Sequence, residues 1–241
     1  MTGDPTCRPW WHDKARWICQ RVILKGTVRA SVDVTVHGLD NIARLRGPFV
    51  MVANHSSHLD ASCLVTMLPW SLTQDMSVGV ASDYFYRSAW KRFLVGLFYN
   101  SYPVDRDRRD SVGSGLSLVL LRNGIPIQIF PEGTRSRDGR MGTFKPGAAA
   151  LARTLRVPIV PVAIIGTHHA MPVGRRWPRP GRPPVQLLVG SPLRAGPGEG
   201  VTEFNDRVCA QLCSMLETGS TQMPPEDNRP AEPDDPQQEA R

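Results

Sequence analysis

The sequence predicts a single layered α/β domain, and three observations support that prediction. The chain has 241 residues, which is enough for one domain with a sizeable core but few for two. Short apolar runs with the composition of β-strands alternate with segments whose apolar residues recur at helical spacing, as in domains where helices pack on a sheet. Glycine and proline, at 21 and 22 residues, are plentiful and separate many of these segments.

The first predicted element is a helix over residues 9–24. Two apolar stripes run along it, one of Trp11, Ala15, Ile18 and Val22 and the other of Trp10, Trp17 and Leu24. The cations Lys14 and Arg21 lie between the two stripes. The remaining face is polar and consists of His12, Asp13, Arg16 and Gln20. Three tryptophans beside two long cations are typical of a helix that lies on a membrane surface. The alternative is that the tryptophan stripe packs on the domain.

Seven strands and five further helices are predicted along the rest of the chain. The strands are 31–37, 50–53, 78–81, 102–104, 125–130, 157–165 and 185–189, and the helices are 60–67, 84–98, 110–122, 146–155 and 202–216. Residues 171–184 are too rich in proline for regular structure and are predicted to form a loop. We therefore divide the chain into an N-terminal helix at 1–27, a domain at 28–218 and a disordered tail at 219–241.

The charge of the chain is unevenly distributed. The whole chain carries +7, but the tail from Gly219 onward carries six acidic and two basic residues, so residues 1–218 carry +11. A body this basic implies an anionic partner, which could be a membrane surface, a phosphorylated substrate or a nucleic acid.

Cysteine usage and hydropathy indicate the compartment. The five cysteines are odd in number and form no C-x-x-C motif, as expected of a protein in a reducing, cytosolic compartment. No apolar segment is long enough for a secretory signal or a transmembrane helix, and the most apolar run, 157–166, contains two prolines.

A polar turn follows the predicted strand at 50–53 and contains His55 and Asp60. Across a turn that enters a helix, a carboxylate five residues after an imidazole can accept a hydrogen bond from one ring nitrogen. The other nitrogen is then available as a general base. No G-x-S-x-G nucleophile elbow is present, so the pair is suited to activating a hydroxyl of the substrate. The alternative is a purely structural His–Asp pair.

Four segments at predicted strand ends together resemble the glycerolipid acyltransferase family. Asn54-His55-x4-Asp60 matches the family's N-H-x4-D motif, and Phe130-Pro131-Glu132-Gly133-Thr134-Arg135-Ser136 matches F-P-E-G-T-R-S without a departure. Pro103-Val104-Asp105-Arg106 and the proline-interrupted run at 157–162 are similar to two weaker blocks. The resemblance covers residues 30–192, and its specificity comes from two unrelated motifs in the right order and separation.

The resemblance implies a mixed β-sheet flanked by helices and an O-acyltransferase that needs neither a cofactor nor a metal. The donor would be acyl-CoA or acyl carrier protein. The acceptor would be a lysophospholipid, with 1-acylglycerol-3-phosphate expected and phosphatidic acid as its product. Other lysolipid or polar-lipid acceptors remain an alternative within the same family.

The resemblance also implies roles for particular residues. His55 would be the general base and Asp60 would orient it. Glu132, Gly133 and Thr134 would contact the glycerol, because glycine allows close approach of the backbone. Arg106 and Arg135 are candidates for the acceptor's phosphate, with Lys145 as a further one, because guanidinium groups match phosphate oxygens in a bidentate fork.

An enzyme of this kind is expected at an anionic membrane surface, on its cytoplasmic face, as a peripheral or monotopic protein that binds no nucleic acid. Bacterial members of the family often begin with a longer apolar or two-helix docking segment, whereas one tryptophan-rich helix precedes Gly26 here. The aromatic and basic segment 84–98 and the arginine-rich loop 175–182 could add to docking.

Two alternatives belong to other functional classes. One is a metal-dependent hydrolase with His55, His58 and Asp60 as ligands, joined by His168 or His169. The other is a non-enzymatic module that binds anionic lipid or nucleic acid through its basic body. That second alternative leaves the His–Asp pair and the F-P-E-G-T-R-S motif unexplained.

Overall fold

The computed structural model of the protein describes residues 10–81, 89–104 and 115–222. Seven strands form one sheet in the order β1-β7-β6-β2-β5-β3-β4. They are β1 (Asp33–His37), β2 (Val50–Ala53), β3 (Ser77–Ala81), β4 (Tyr102–Val104), β5 (Ile127–Ile129), β6 (Ile159–Ile165) and β7 (Pro184–Val189). All neighbouring pairs are parallel except β6 and β7, which are antiparallel, so the predicted mixed α/β sheet is confirmed.

Helices cover both faces of this sheet. They are α1 (Trp10–Ile18), a π-helix (Cys19–Leu24), α2 (Lys25–Ser31), α3 (Leu59–Met67), α4 (Trp70–Thr73), α5 (Ala89–Tyr99), α6 (Leu116–Arg122), α7 (Gly147–Leu155), α8 (Thr167–Ala170) and α9 (Val201–Gln222), and a short 3₁₀-helix spans Leu39–Ile42. No helix in the described ranges is long and apolar enough to cross a membrane.

The two central strands are buried on both faces because helices lie above and below them. Successive residues of β2 point to opposite faces, so Met51 packs in the core beneath α2 and α3 while Val52 packs in the core beneath α7 and α9. Every residue of β2 and of β6 is buried. This explains why their sequences are continuous apolar runs without an alternating pattern.

The first helical segment turns residues of its predicted polar face toward the domain. Arg16 and Gln20, from the predicted polar face, are buried, and Gln20 Nε2 donates a hydrogen bond of 2.8 Å to the Phe98 carbonyl. Trp17, Ile18 and Val22 are exposed, so the alternative in which the tryptophan stripe packs on the domain is wrong for Trp17. The side chains of Trp10 and Trp11 lie outside the described part of the chain.

The helical segment is also longer than predicted, because the helix continues to Ser31 where a strand was expected to start. Hydroxyl groups within it bond back one turn, with Thr27 Oγ1 donating to the Ile23 carbonyl and Ser31 Oγ donating to the Thr27 carbonyl. Strand β1 then begins at Asp33 with an alternating pattern of burial, as predicted.

The C-terminal boundary differs as well, since α9 continues through Gln222 and residues 219–222 are helical. Gly219 is buried against the sheet: a β-carbon there would collide with Ile165 Cδ1 and would lie 2.6 Å from Leu188 Cδ1. The absence of a side chain lets the helix approach β6 and β7 closely. Residues 223–241, the rest of the predicted tail, are outside the described residues.

The sheet topology brings two of the four motif segments, 54–60 and 130–136, to one edge, whereas the segment 157–162 leads into β6 and forms its first half. Strands β2, β5 and β6 are parallel, so their carboxyl ends lie at the same edge of the sheet. The segments that follow them begin at Asn54, Phe130 and Gly166. Motifs that are far apart in sequence therefore meet at one place.

Candidate active site

His55 and Asp60 form the predicted pair. The Nδ1 atom of His55 lies 2.9 Å from Asp60 Oδ2, and Asp60 is fully buried at the start of α3. The backbone N–H groups of Ser56 and Ser57 donate to the same carboxylate oxygen at 2.7 and 2.8 Å. Donation from Nδ1 to a carboxylate leaves Nε2 of the imidazole as the acceptor, which is the state that a general base requires.

The orientation of the His55 ring and the position of its backbone are also fixed by neighbouring residues. Its ring stacks on Phe130 with centroids 3.9 Å apart and planes at 11°. Its backbone N–H donates to Glu132 Oε1 at 2.7 Å, and its carbonyl accepts the Ser136 N–H at 2.8 Å. The F-P-E-G-T-R-S segment is thus folded around the histidine of the N-H-x4-D motif.

Glu132 joins a third segment to these two. Its Oε2 accepts the backbone N–H of Gly142 at 2.8 Å, while Oε1 accepts that of His55. Burial raises the pKa of the Glu132 carboxyl, and these two backbone bonds oppose the rise. A β-carbon at Gly142 would lie 3.0 Å from Oε2, so the segment approaches the carboxylate as closely as a glycine permits. Both oxygens thus have internal partners, and a direct contact between Glu132 and glycerol stays a prediction.

Cationic groups lie beside this carboxylate turn. Gly133 adopts φ +74°, and a β-carbon at this position would be 3.1 Å from Lys145 Nζ, so the ammonium group lies directly against the turn. Thr134 is exposed and Arg135 is half-buried. Desolvation, and then the positive charge of Arg135, lower the pKa of His58, which places Arg135 near His58 in the first motif. Arg106 lies outside the described residues, and its predicted role is not tested.

Three polar residues of the first motif, for which no individual role was predicted, hold it on the sheet. The Asn54 amide donates to the Ile164 carbonyl at 2.9 Å and accepts the Ile164 N–H at 2.8 Å, which extends the pairing of β2 with β6. Ser56 Oγ and Thr167 Oγ1 are 3.2 Å apart, and Ser57 Oγ donates to the Met171 carbonyl at 2.7 Å. Their position inside the N-H-x4-D motif, next to the histidine, was the available signal.

The remaining histidines are arranged differently. His58 is exposed, and His168 packs against Gly139. The Nδ1 atom of His169 lies 3.0 Å from Nη1 of Arg179. Within the described ranges, no group of three or more histidine, cysteine, aspartate or glutamate side chains is arranged to hold a metal ion.

Cys63 follows Asp60 by one turn of α3 and is buried. Burial, and then the negative charge of Asp60, raise the pKa of its thiol well above the ordinary value. A thiol with a raised pKa is a poor nucleophile, so Cys63 contributes to packing and not to chemistry.

Comparison with known proteins supports the assignment of the fold. The crystal structure of the 1-acyl-sn-glycerophosphate (LPA) acyltransferase PlsC from Thermotoga maritima matches with a TM-score of 0.66 and 24% sequence identity, over 88% of this chain and 84% of that one. At this identity the match shows a shared fold.

Curated relatives share the sequence more closely over part of their length. A chloroplastic 1-acyl-sn-glycerol-3-phosphate acyltransferase of Brassica napus is 35% identical over 58% of this chain and 39% of its own length. The 1-acyl-sn-glycerol-3-phosphate acyltransferase of Saccharomyces cerevisiae is 33% identical over 64% of this chain and 50% of its own length. The chain therefore spans half or less of the length of these two relatives.

The family itself is established by a match to the model of the Acyltransferase family, which extends over residues 33–165. This range contains His55, Asp60, Glu132 and Gly142, whereas Thr167 and Met171, the partners of Ser56 and Ser57, lie just beyond it. The match covers more than half of the 241 residues. This confirms the family resemblance that the two strong motifs predict: the chain belongs to the acyltransferase family.

Proposed function

We propose that this protein transfers a fatty acyl group from a thioester donor, acyl-CoA or acyl carrier protein, to the free hydroxyl of 1-acylglycerol-3-phosphate. The product would be phosphatidic acid. The observation that carries the proposal is the His55 Nδ1–Asp60 Oδ2 hydrogen bond, formed beside a turn with cationic neighbours. The names of the relatives support the choice of acceptor.

The chemistry follows from the state of the imidazole. Nε2 of His55 takes the proton of the acceptor hydroxyl as its oxygen attacks the thioester carbonyl. The buried carboxylate of Asp60 stabilises the imidazolium that forms. When the tetrahedral intermediate collapses, the carbon–sulfur bond breaks and the imidazolium returns its proton to the departing sulfur. The acyl group passes directly to the acceptor, so no acyl-enzyme is formed.

The charges around the site suit a phosphorylated acceptor. Arg135 is half-buried near His58, and Lys145 Nζ lies against Gly133 of the same turn. A guanidinium group partly shielded from water binds phosphate more strongly than one that is fully solvated. We assign Arg135 to the acceptor's phosphate, with Lys145 adding positive charge; Arg106 remains a predicted third contact.

An exposed apolar surface supports attachment to a membrane. We call Trp17, Ile18, Val22, Ile23, Trp90 and Phe93 the docking surface; all six side chains are exposed. Four belong to α1 and the π-helix, which contact α5, the helix that supplies Trp90 and Phe93. Apolar and aromatic side chains held outward on packed helices are typical of interfacial anchors. We therefore propose a peripheral or monotopic protein on the cytoplasmic face of the membrane.

An acceptor screen tests the proposed reaction. Free thiol release is measured with each donor in turn and with lysophosphatidate, glycerol-3-phosphate, a zwitterionic lysophospholipid or no acceptor. We expect release to depend on lysophosphatidate and to be accompanied by phosphatidic acid. Equal release without any acceptor would show a thioesterase, and release only with another acceptor would reject the proposed substrate. The same screen identifies the donor.

A further inference from the structure

The segment 172–182, which we call the arginine loop, emerges at the mouth of the candidate active site. It follows β6 and α8, and β6 runs parallel to β2, whose carboxyl end leads to His55. The hydroxyl of Ser57, two residues after His55, donates to the Met171 carbonyl just before the loop begins. The residue that precedes the loop is therefore bonded to the turn that contains the proposed catalytic pair.

The arginine loop has a defined shape although it contains no helix or strand. The Arg175 N–H closes a turn on the Pro172 carbonyl, and Arg175 Nε donates to the Trp177 carbonyl at 3.1 Å. At its far end, the Arg179 N–H returns to the Ala170 carbonyl at 2.8 Å. These bonds hold the middle of the loop, which contains Trp177, away from the domain.

The tip of the loop combines a large apolar side chain with positive charge. Trp177 is 76% exposed, and Arg176 next to it is exposed as well. Arginines also occur at 175, 179 and 182, and no acidic residue occurs anywhere between Asp138 and Glu199. Arg182 forms an ion pair with Asp33 at 3.3 Å. An exposed indole in an arginine-rich segment has the composition that proteins place at the boundary between lipid headgroups and acyl chains.

We infer that the arginine loop is a second membrane contact, in which Trp177 enters the headgroup region of an anionic bilayer and Arg176 binds lipid phosphates. The inference rests on the proposed lipid-directed function and adds a contact that is separate in sequence from the docking surface. An acceptor that leaves the bilayer must enter at the edge of the sheet where His55 lies. A loop that touches lipid at that edge would shorten its path.

Charge complementarity favours an anionic bilayer as the partner, and the exposed indole distinguishes it from an acidic protein. A protein partner would bury the tryptophan in a matching apolar pocket, whereas the bilayer interface accepts an indole anywhere on its surface. An acidic acyl carrier protein remains as a candidate partner of the loop. The experiment below distinguishes it from an anionic bilayer.

The test compares two loop variants with a matched control. Trp177→Ala removes the indole, Arg176→Ala removes one charge at the tip, and Arg44→Ala removes an exposed arginine from the connection between β1 and β2, at the opposite edge of the sheet. Binding is measured by co-sedimentation with vesicles of phosphatidylcholine and phosphatidylglycerol, and with vesicles of phosphatidylcholine alone. Vesicle binding does not require turnover, so it is independent of the reaction.

Arg176→Ala is expected to weaken binding to the anionic vesicles about fivefold, the loss associated with one basic residue at a membrane surface. Trp177→Ala should weaken binding to both kinds of vesicle, and Arg44→Ala should bind like the parent. Unchanged vesicle binding by both loop variants would overturn the inference while leaving the proposed reaction intact. Lost turnover with acyl carrier protein alone, at unchanged vesicle binding, would also overturn it and assign the loop to the donor. Failure of the parent to bind any vesicle would reject membrane attachment itself.

Discussion

Glu132 Oε1 accepts the backbone N–H of His55 at 2.7 Å, although the two residues are 77 positions apart in the chain. The carboxylate of one motif thus holds the main chain of the proposed catalytic histidine in the other. Its second oxygen holds Gly142, so three segments converge on a single buried side chain. Because these bonds are short and shielded from water, a small change here should disturb the geometry of His55.

His55→Ala should remove the general base and lower kcat by about 10²–10⁴-fold or more, the range associated with general-base catalysis. Thiol release with lysophosphatidate measures the effect. Because His55 is not part of the docking surface, vesicle binding and the circular dichroism spectrum should match those of the parent. Turnover near the parent's rate in a folded variant would reject the assignment of His55.

Arg135→Ala should raise the KM for lysophosphatidate about 10- to 100-fold, because charge-assisted hydrogen bonds to a phosphate are lost. The KM for the thioester donor should stay unchanged. Arg44→Ala provides the control, since it removes the same charge at the opposite edge of the sheet. A rise confined to the donor's KM would assign Arg135 to the donor.

Glu132→Gln should change how stability depends on pH. Burial raises the pKa of Glu132 in the folded protein, so the unfolded chain loses this proton first as the pH rises. The contribution of Glu132 to the free energy of unfolding is therefore most favourable below its unfolded pKa. It falls as the pH rises through the folded pKa.

Glutamine does not titrate, so the difference in the free energy of unfolding, parent minus variant, should decrease with rising pH across this acidic window. Urea denaturation at a series of pH values measures it. A difference that grows with pH would show that the backbone bonds from His55 and Gly142 outweigh burial and lower the pKa of Glu132.

Gly142→Ala should impair catalysis more than stability. Its methyl group would meet Glu132 Oε2 at 3.0 Å, and a shift of that carboxylate would be passed to the backbone of His55. We expect kcat to fall about tenfold, since small displacements of catalytic groups are costly. Gly26→Ala is the matched control, because Gly26 is exposed in α2 with open space around it. An unchanged kcat in Gly142→Ala would show that the loop accommodates the methyl group.

Gly219→Ala should destabilise the fold by about 1–3 kcal/mol, as expected when a methyl group is forced into a packed contact. The contacts are Ile165 and Leu188, on β6 and β7. The same substitution at Gly26 should instead stabilise its helix by up to about 1 kcal/mol. Denaturant titration of both variants should give changes in the free energy of unfolding that are opposite in sign. Equal effects would mean that α9 does not lie directly on the sheet at Gly219.

Local features were predictable from the sequence. His55 and Asp60 are five residues apart, so the turn that joins them was sufficient to predict their hydrogen bond. Strands β2 and β6 were visible as apolar runs because burial on both faces leaves no polar alternation. The family resemblance added the order of the motifs and the type of reaction.

Other features were not predictable, because a pattern of polar residues does not specify which partner each one finds. Arg16 and Gln20 look like the solvent-facing side of the first helical segment, yet both side chains are buried. Gln20 donates to the Phe98 carbonyl on α5. Gly219 looked like the start of a disordered tail, and only the close approach of α9 to the sheet explains the glycine.

By itself, then, the sequence determined the α/β class, the local His55–Asp60 pair and the family, because these depend on periodicity and on residues adjacent in the chain. Only the tertiary structure decided that Glu132 and Ser136 bond to His55, that Asn54 joins β2 to β6, and which face of the first helix is exposed. The physical reason is that strand order brings distant segments to one edge. The hydrogen bonds formed there depend on distances in space that sequence separation does not encode.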